Sequence, residues 1–121
     1  MKKGLIFCLL AILLVFSFIG CDLLSGPYSM EVYNISDSTL NTLHANSENP
    51  SFDPYNFVKS QLGTNRSNSY NGLTLEQVQQ KLHDFYVPNS IINKAIIDLQ
   101  DNRPHSMWGP YKSRNIFIYV K

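Results

Sequence analysis

Beyond Cys21 the chain has no cysteine; its two are Cys8 and Cys21. The stretch behind Cys21, about 100 residues, therefore has no disulfide to staple it and no thiolate for a zinc site or a sulfur nucleophile. A chain of that size can bury the core of one domain without such aids. Charge is also scarce, at 16% of residues, below the roughly 25% of an average globular domain. Without Lys2 and Lys3, 8 basic residues face 9 acidic ones, a net charge of about −1. Displacing counterions from nucleic-acid phosphates needs a basic face, and this balance supplies none. Local catalytic signatures are missing as well. The six glycines form no phosphate-cradling loop, and neither GxSxG nor SxxK marks an acyl-transfer serine.

The N-terminus carries the strongest positive signal. Lys2 and Lys3 precede an apolar run from Leu5 to Ile19 that only Ser17 interrupts. A spanning helix needs roughly 20 apolar residues and a signal-peptide core about 7 to 15. The run falls at the signal-peptide end. Cationic residues stay on the cytoplasmic side, so the chain beyond the run is expected outside the cytoplasm. An uncleaved membrane anchor with Cys21 as an incidental thiol is the alternative, and it places the domain on the same side.

Phe18-Ile19-Gly20-Cys21 resembles the lipobox of bacterial prolipoproteins, with Phe where Leu is usual, as in lipoboxes of spirochaete type. The resemblance implies a diacylglyceryl thioether on Cys21, cleavage between Gly20 and Cys21, and an acyl chain such as palmitate on the new amine. Two or more chains anchor a protein stably where one holds it only marginally, each buried methylene adding about 0.8 kcal/mol. The expected layout is a lipoprotein signal peptide over 1–20, a lipidated tether over 21–28 and a small domain over 29–121. Asp22 tends to retain lipoproteins in the inner membrane of enteric-type bacteria. That rule does not transfer to other groups, so the choice of membrane stays open.

Within the domain, Tyr28 to Ile35 is aromatic and β-branched with loose alternation, which reads as a strand, and Ser36-Asp37-Ser38 reads as a turn. A short second strand is expected over 39–45. Asp53-Pro54 is a helix start, with Tyr55, Val58 and Leu62 on one face and Gly63 as the stop. Residues 64–72 lack hydrophobic periodicity and read as a connection. Thr74-Leu75-Glu76-Gln77 fits a capping box, with Leu75, Val78, Leu82 and Phe85 following at helical spacing. This helix should stop near Tyr86, ahead of Pro88. A further helix runs to Gln100 with a stripe of Ile91, Ile92, Ala95, Ile96 and Leu99. Trp108-Gly109-Pro110 reads as a turn. The closing Ile116-Phe117-Ile118-Tyr119-Val120 reads as a strand apolar on both faces, and so covered on both or paired internally.

This order gives an α+β domain: about three helices packed on one face of a small sheet formed by the N- and C-terminal strands. Helices followed by a hairpin also resemble a winged-helix module, on element order over about half the chain. Its recognition helix would present Asn89, Ser90, Asn93, Lys94 and Asp98, a poor set for phosphates.

Candidate chemistry is sparse. His44, His83 and His105 lie far apart, with no HxxH or HExxH spacing, so no metal site and no cofactor beyond the lipid on Cys21 is expected. Adjacent helical residues point about 100° apart, so His83 and Asp84 do not serve one site. Asp98 and Asp101 lie a turn apart and could share a cation, or simply be solvated. No catalytic residue is assigned. Several of Tyr70, Tyr86, Trp108, Tyr111, Phe117 and Tyr119 fall in loop-like stretches, where exposed aromatics anchor protein or glycan contacts. The candidate contact surface is Trp108 and Tyr111 with Lys112 and Arg114. The alternative for Trp108 is a place beside the core. The expectation is a membrane-tethered, non-enzymatic binding module of the cell envelope, periplasmic or at the cell surface, its partners membrane lipid through Cys21 and a protein or glycan. An accessory subunit of an envelope complex and a small hydrolase are the alternatives.

Overall fold

The computed structural model describes residues 25–63 and 68–121; the signal segment, the lipobox and Cys21 lie outside the described residues. Four strands and four helices are found among them: β1 (Tyr28–Asn34), α1 (Asp37–Ala45), α2 (Pro54–Leu62), β2 (Asn68–Leu73), α3 (Leu75–Asp84), α4 (Asn89–Gln100), β3 (His105–Tyr111) and β4 (Arg114–Val120). The class is α+β. All pairings are antiparallel, in the order β2-β1-β4-β3, so the N- and C-terminal strands pair at the centre as expected.

Alternation along the central strands sends their side chains to two cores. Met30, Val32, Ile116, Ile118 and Val120 meet Val78, Leu82, Ile92, Ala95 and Leu99 of α3 and α4 on one face. Tyr33 and Phe117 meet Leu40, Leu43 and Val58 of α1 and α2 on the other. The helices therefore cover both faces, which corrects the expectation of a single helical layer. The physical reason is visible in β4, whose Ile116, Phe117, Ile118 and Val120 are all buried and which needs cover on each side.

The helices with strong start signals form where their residues direct. The Asp53 carboxylate accepts from the Asn56 backbone N–H at 3.2 Å, and Gly63 stops α2 with φ of 63°. Thr74 and Gln77 complete a reciprocal capping box.

Other segments depart from the sequence reading. The stretch expected as a strand over 39–45 is helical, and Ser36 is its N-cap, accepting from the Thr39 N–H at 3.2 Å. Leu40 and Leu43 are buried at helical spacing, and packing overrides the β-branched Thr39 and Thr42. Part of the expected connection is β2, an outer strand whose residues are mostly exposed and so show no alternation. The expected turn at Trp108-Gly109-Pro110 lies inside β3; Pro110 is tolerated there because β3 is an edge strand. The reversal falls at Lys112-Ser113, with φ of 50° and 65°. The hairpin is thus part of the four-stranded sheet, with β4 paired to β1, and does not project as a wing.

Gly26 ties the start of the domain to β2. Its N–H donates to the Gly72 carbonyl at 3.0 Å, and a Cβ there would stand 1.9 Å from the Leu73 carbonyl oxygen.

Phe117 is the one fully buried residue of β4 in the second core, between Tyr33 and Trp108. Phe117→Ala should lower stability by about 3–5 kcal/mol, read as the shift of the urea midpoint. A loss below about 1 kcal/mol would mean that α1 and α2 do not depend on the sheet.

Candidate functional site

Strand directions give the domain two poles. At one, Gly26 meets Gly72, and Ser29 exchanges backbone hydrogen bonds with Lys121. At the other, β3 turns into β4 at Lys112-Ser113, and β1 runs out through Asn34 and Ile35, whose N–H donates to the Asn115 carbonyl. Strands of seven residues separate the poles by about 20 Å. The segment leading back to Cys21 enters at the first pole, and the second is remote from it.

The remote pole gathers most of the unusual backbone. Among the described residues, four other than glycine have positive φ: Tyr86 at 63°, Asn102 at 58°, Lys112 at 50° and Ser113 at 65°. Asn tolerates that region; a bulky aromatic there is an outlier. Tyr86 closes α3 as the left-handed residue beyond the cap, donating to the His83 carbonyl at 2.9 Å while Val87 donates to that of Leu82 at 3.1 Å. Glycine is the usual occupant of this position. Lys112 and Ser113 are the central residues of a two-residue hairpin loop, where Asn-Gly is usual. Each such residue costs about 1–2 kcal/mol over glycine.

These strained residues meet. The Lys112 ammonium lies 4.0 Å from the centroid of the Tyr86 ring and donates to its hydroxyl at 2.8 Å. Tyr86 remains 57% exposed, the most exposed large hydrophobic side chain described. Arg114 follows the turn, exposed, with Nη2 3.3 Å from the Asn34 amide oxygen. Asn115 beside it donates to Asp37.

The candidate contact residues are thereby divided. Lys112 and Arg114 stand at the remote pole. Tyr111 is buried toward α3 and α4, its ring over Gly109 and its hydroxyl donating to the Trp108 carbonyl at 3.1 Å. Trp108 points to the opposite face, half-buried and stacked at 14° on Phe117 with centroids 6.0 Å apart. Trp108 and Tyr111 therefore do not form one surface. Tyr86, outside the set of four drawn from the sequence, is the aromatic that lies beside Lys112; an aromatic at a helix stop where glycine is usual is the signal that marks it.

Other clusters are structural in character. Arg103 bridges Asp98 at 3.2 Å and Asp101 at 3.1 Å, and His105 Nδ1 lies 2.7 Å from Asp98. The two carboxylates thus share a guanidinium. His83 and Asp84 do not pair; Asp84 accepts from Gln80 at 3.2 Å. Among the described residues no group of three or more potential ligands is placed to hold a metal ion.

Glu31 accepts from Tyr55 and, at 3.3 Å, from Tyr33, while the Tyr55 ring stacks on Tyr119 at 3.7 Å. Burial first, then the Glu31 carboxylate, push the Tyr55 phenol well above its ordinary range. Burial, with Asp53 and Glu31 behind it, raises Tyr119. Glu31 lines neither of two surface cavities. One, about 320 Å³, sits at the tether pole between Tyr28, Leu99, Pro104 and Tyr119. The other, about 510 Å³, lies between β2 and α3 and is lined mainly by polar groups around Lys81, whose ammonium lies over Tyr70.

Comparison of the chain with protein-family models, with curated proteins and with solved structures gives no match.

The phenols fix a pH dependence. Burial pushes Tyr111 up to about 12, and Tyr55 and Tyr119 are raised with it. A group that holds its proton more tightly when folded stabilises fully below its unfolded value, about 10 for Tyr. That contribution is lost as pH rises through the folded value. Stability should therefore fall from about pH 10 to pH 12, and in the folded protein phenolate absorbance from these three should rise at higher pH than that of exposed tyrosines. Their ionisation near pH 10 with the fold intact would contradict their placement.

Proposed function

We propose that the chain is a bacterial envelope lipoprotein, anchored through acylated Cys21, whose extracytoplasmic domain is a binding module without catalytic activity. The observation that carries this reading is the polarity of the sheet. The chain enters at Gly26-Pro27, close behind the lipobox Phe18-Ile19-Gly20-Cys21, and the exposed Tyr86, Lys112 and Arg114 lie at the far end. A tether at one end and a contact surface at the other suit a domain that engages a partner away from the bilayer.

The length of the tether agrees with lipid anchoring. The spacer between Cys21 and Gly26, where the Gly72 carbonyl holds the chain, reaches at most about 18 Å, enough to hold the domain just off the headgroups. The partner is a protein or glycan of the envelope or of the surroundings.

Detergent partition tests the anchor. The native protein should enter the Triton X-114 phase with Cys21 carrying the mass of two or three acyl chains, and Cys21→Ser should move it to the aqueous phase. Retention of the Cys21→Ser chain in detergent would refute lipid anchoring at this residue. Protease treatment of intact cells then decides the side: digestion with a periplasmic control intact means surface display.

A further inference from the structure

The remote pole keeps three residues in backbone conformations that glycine would hold at less cost. Tyr86, Lys112 and Ser113 share this feature and lie together, whereas the fourth positive-φ residue, Asn102, is of a type suited to it. Tyr86 gains no core burial in return, being 57% exposed. Strain that local packing does not offset gathers at sites where side chains are needed in place.

We propose that Tyr86, Lys112 and Arg114 form a docking site for a carboxylate-bearing polypeptide segment. The proposal deepens the binding role given above and rests on it. The charge of the site selects the partner. Two cations stand here, Lys112 against the Tyr86 ring at 4.0 Å and Arg114 bound to an amide oxygen. Of the acids close to these residues along the chain or by contact, Asp37 is held by Asn115 and Asp84 by Gln80. Two cations match one or two carboxylates, and the planar Arg114 guanidinium has donors for a bidentate contact. They are too few to hold a polyanion, whose affinity comes from releasing many counterions. The exposed ring adds a flat apolar surface for a side chain beside the carboxylate. Left-handed geometry at Tyr86 and Lys112 fixes ring and ammonium before the partner arrives, which lowers the ordering cost of binding.

The test uses the chain from residue 21 with Cys21→Ser, isotope-labelled and followed by NMR, so the result does not depend on lipidation. The probes are a synthetic Glu/Asp-rich peptide containing one Phe, its Gln/Asn counterpart, and a heparin hexasaccharide. The acidic peptide alone should shift the amides of residues 86–87 and 112–114. Lys112→Gln and Arg114→Gln should each weaken binding by about three- to fivefold. Tyr86→Gly should abolish the shifts while raising the thermal midpoint. Absent shifts at this pole, equal shifts with the neutral peptide, a response to heparin in place of peptide, or a lowered midpoint in Tyr86→Gly would each overturn the proposal. Failure of Cys21 acylation would leave the titration unchanged, so the two failures are told apart.

Discussion

Everything in this domain depends on the antiparallel pairing of β1 with β4, which joins Met30 to Val120 at one end and Asn34 to Ile116 at the other. The two strands come from opposite ends of the domain, so their pairing closes a long loop whose entropy must be recovered by burial. Recovery comes from both faces at once. Successive residues of β4 bury toward α3 and α4, then toward α1 and α2. Neither helix pair has a core without this strand pair. The sheet in turn would expose an apolar face if either pair detached.

The same pairing explains why β2 and β3 tolerate poor strand sequences. Each lies at an edge and satisfies the free side of a central strand. β2 offers Asn68, Ser69, Asn71 and Gly72, none a good strand former, yet pairs because β1 has an open row of backbone donors and acceptors. β3 accommodates Gly109 and Pro110 on the same terms, with Tyr111 folded over the missing side chain. Edge position also limits aggregation, since exposed polar residues and a proline blunt these rims.

Legibility in the sequence divides along the same line between centre and edge. β1 and β4 are legible by their aromatic and β-branched runs, α4 by its apolar stripe, and α2 and α3 because apolar spacing and capping residues agree; Thr74 and Gln77 fix α3 before any packing is considered. Pairing of the first and last strands is also legible, from the two-faced apolar run of β4. α1 is not, because Thr39 and Thr42 favour strands locally while Leu40 and Leu43 are decided by the second core. β2 is hidden because an exposed edge strand needs no alternation. The hairpin is displaced from its expected place because Lys112-Ser113 lacks the residues that normally mark a two-residue loop, while Gly109-Pro110 carries them. Of the four candidate contact residues, Lys112 and Arg114 fall together at the hairpin end of the sheet. Nearness in sequence groups Trp108 and Tyr111 with them, and strand alternation undoes that grouping.

The displaced turn and the strained pole are one phenomenon. Sequence rules fail at Lys112-Ser113 and at Tyr86 because each holds a residue that local conformational preference disfavours. Native domains are marginally stable, so about one or two kcal/mol is a large fraction of the whole. Leaving three disfavoured residues at one pole, where glycine would fold at lower cost, is then hard to account for by folding alone. The groove at the tether pole shows the contrast: there the left-handed residue is Asn102, and its neighbour Arg103 is engaged by Asp98 and Asp101. Local rules hold at the pole where the chain enters and break at the pole that faces away, and the break coincides with the exposed aromatic and the two cations.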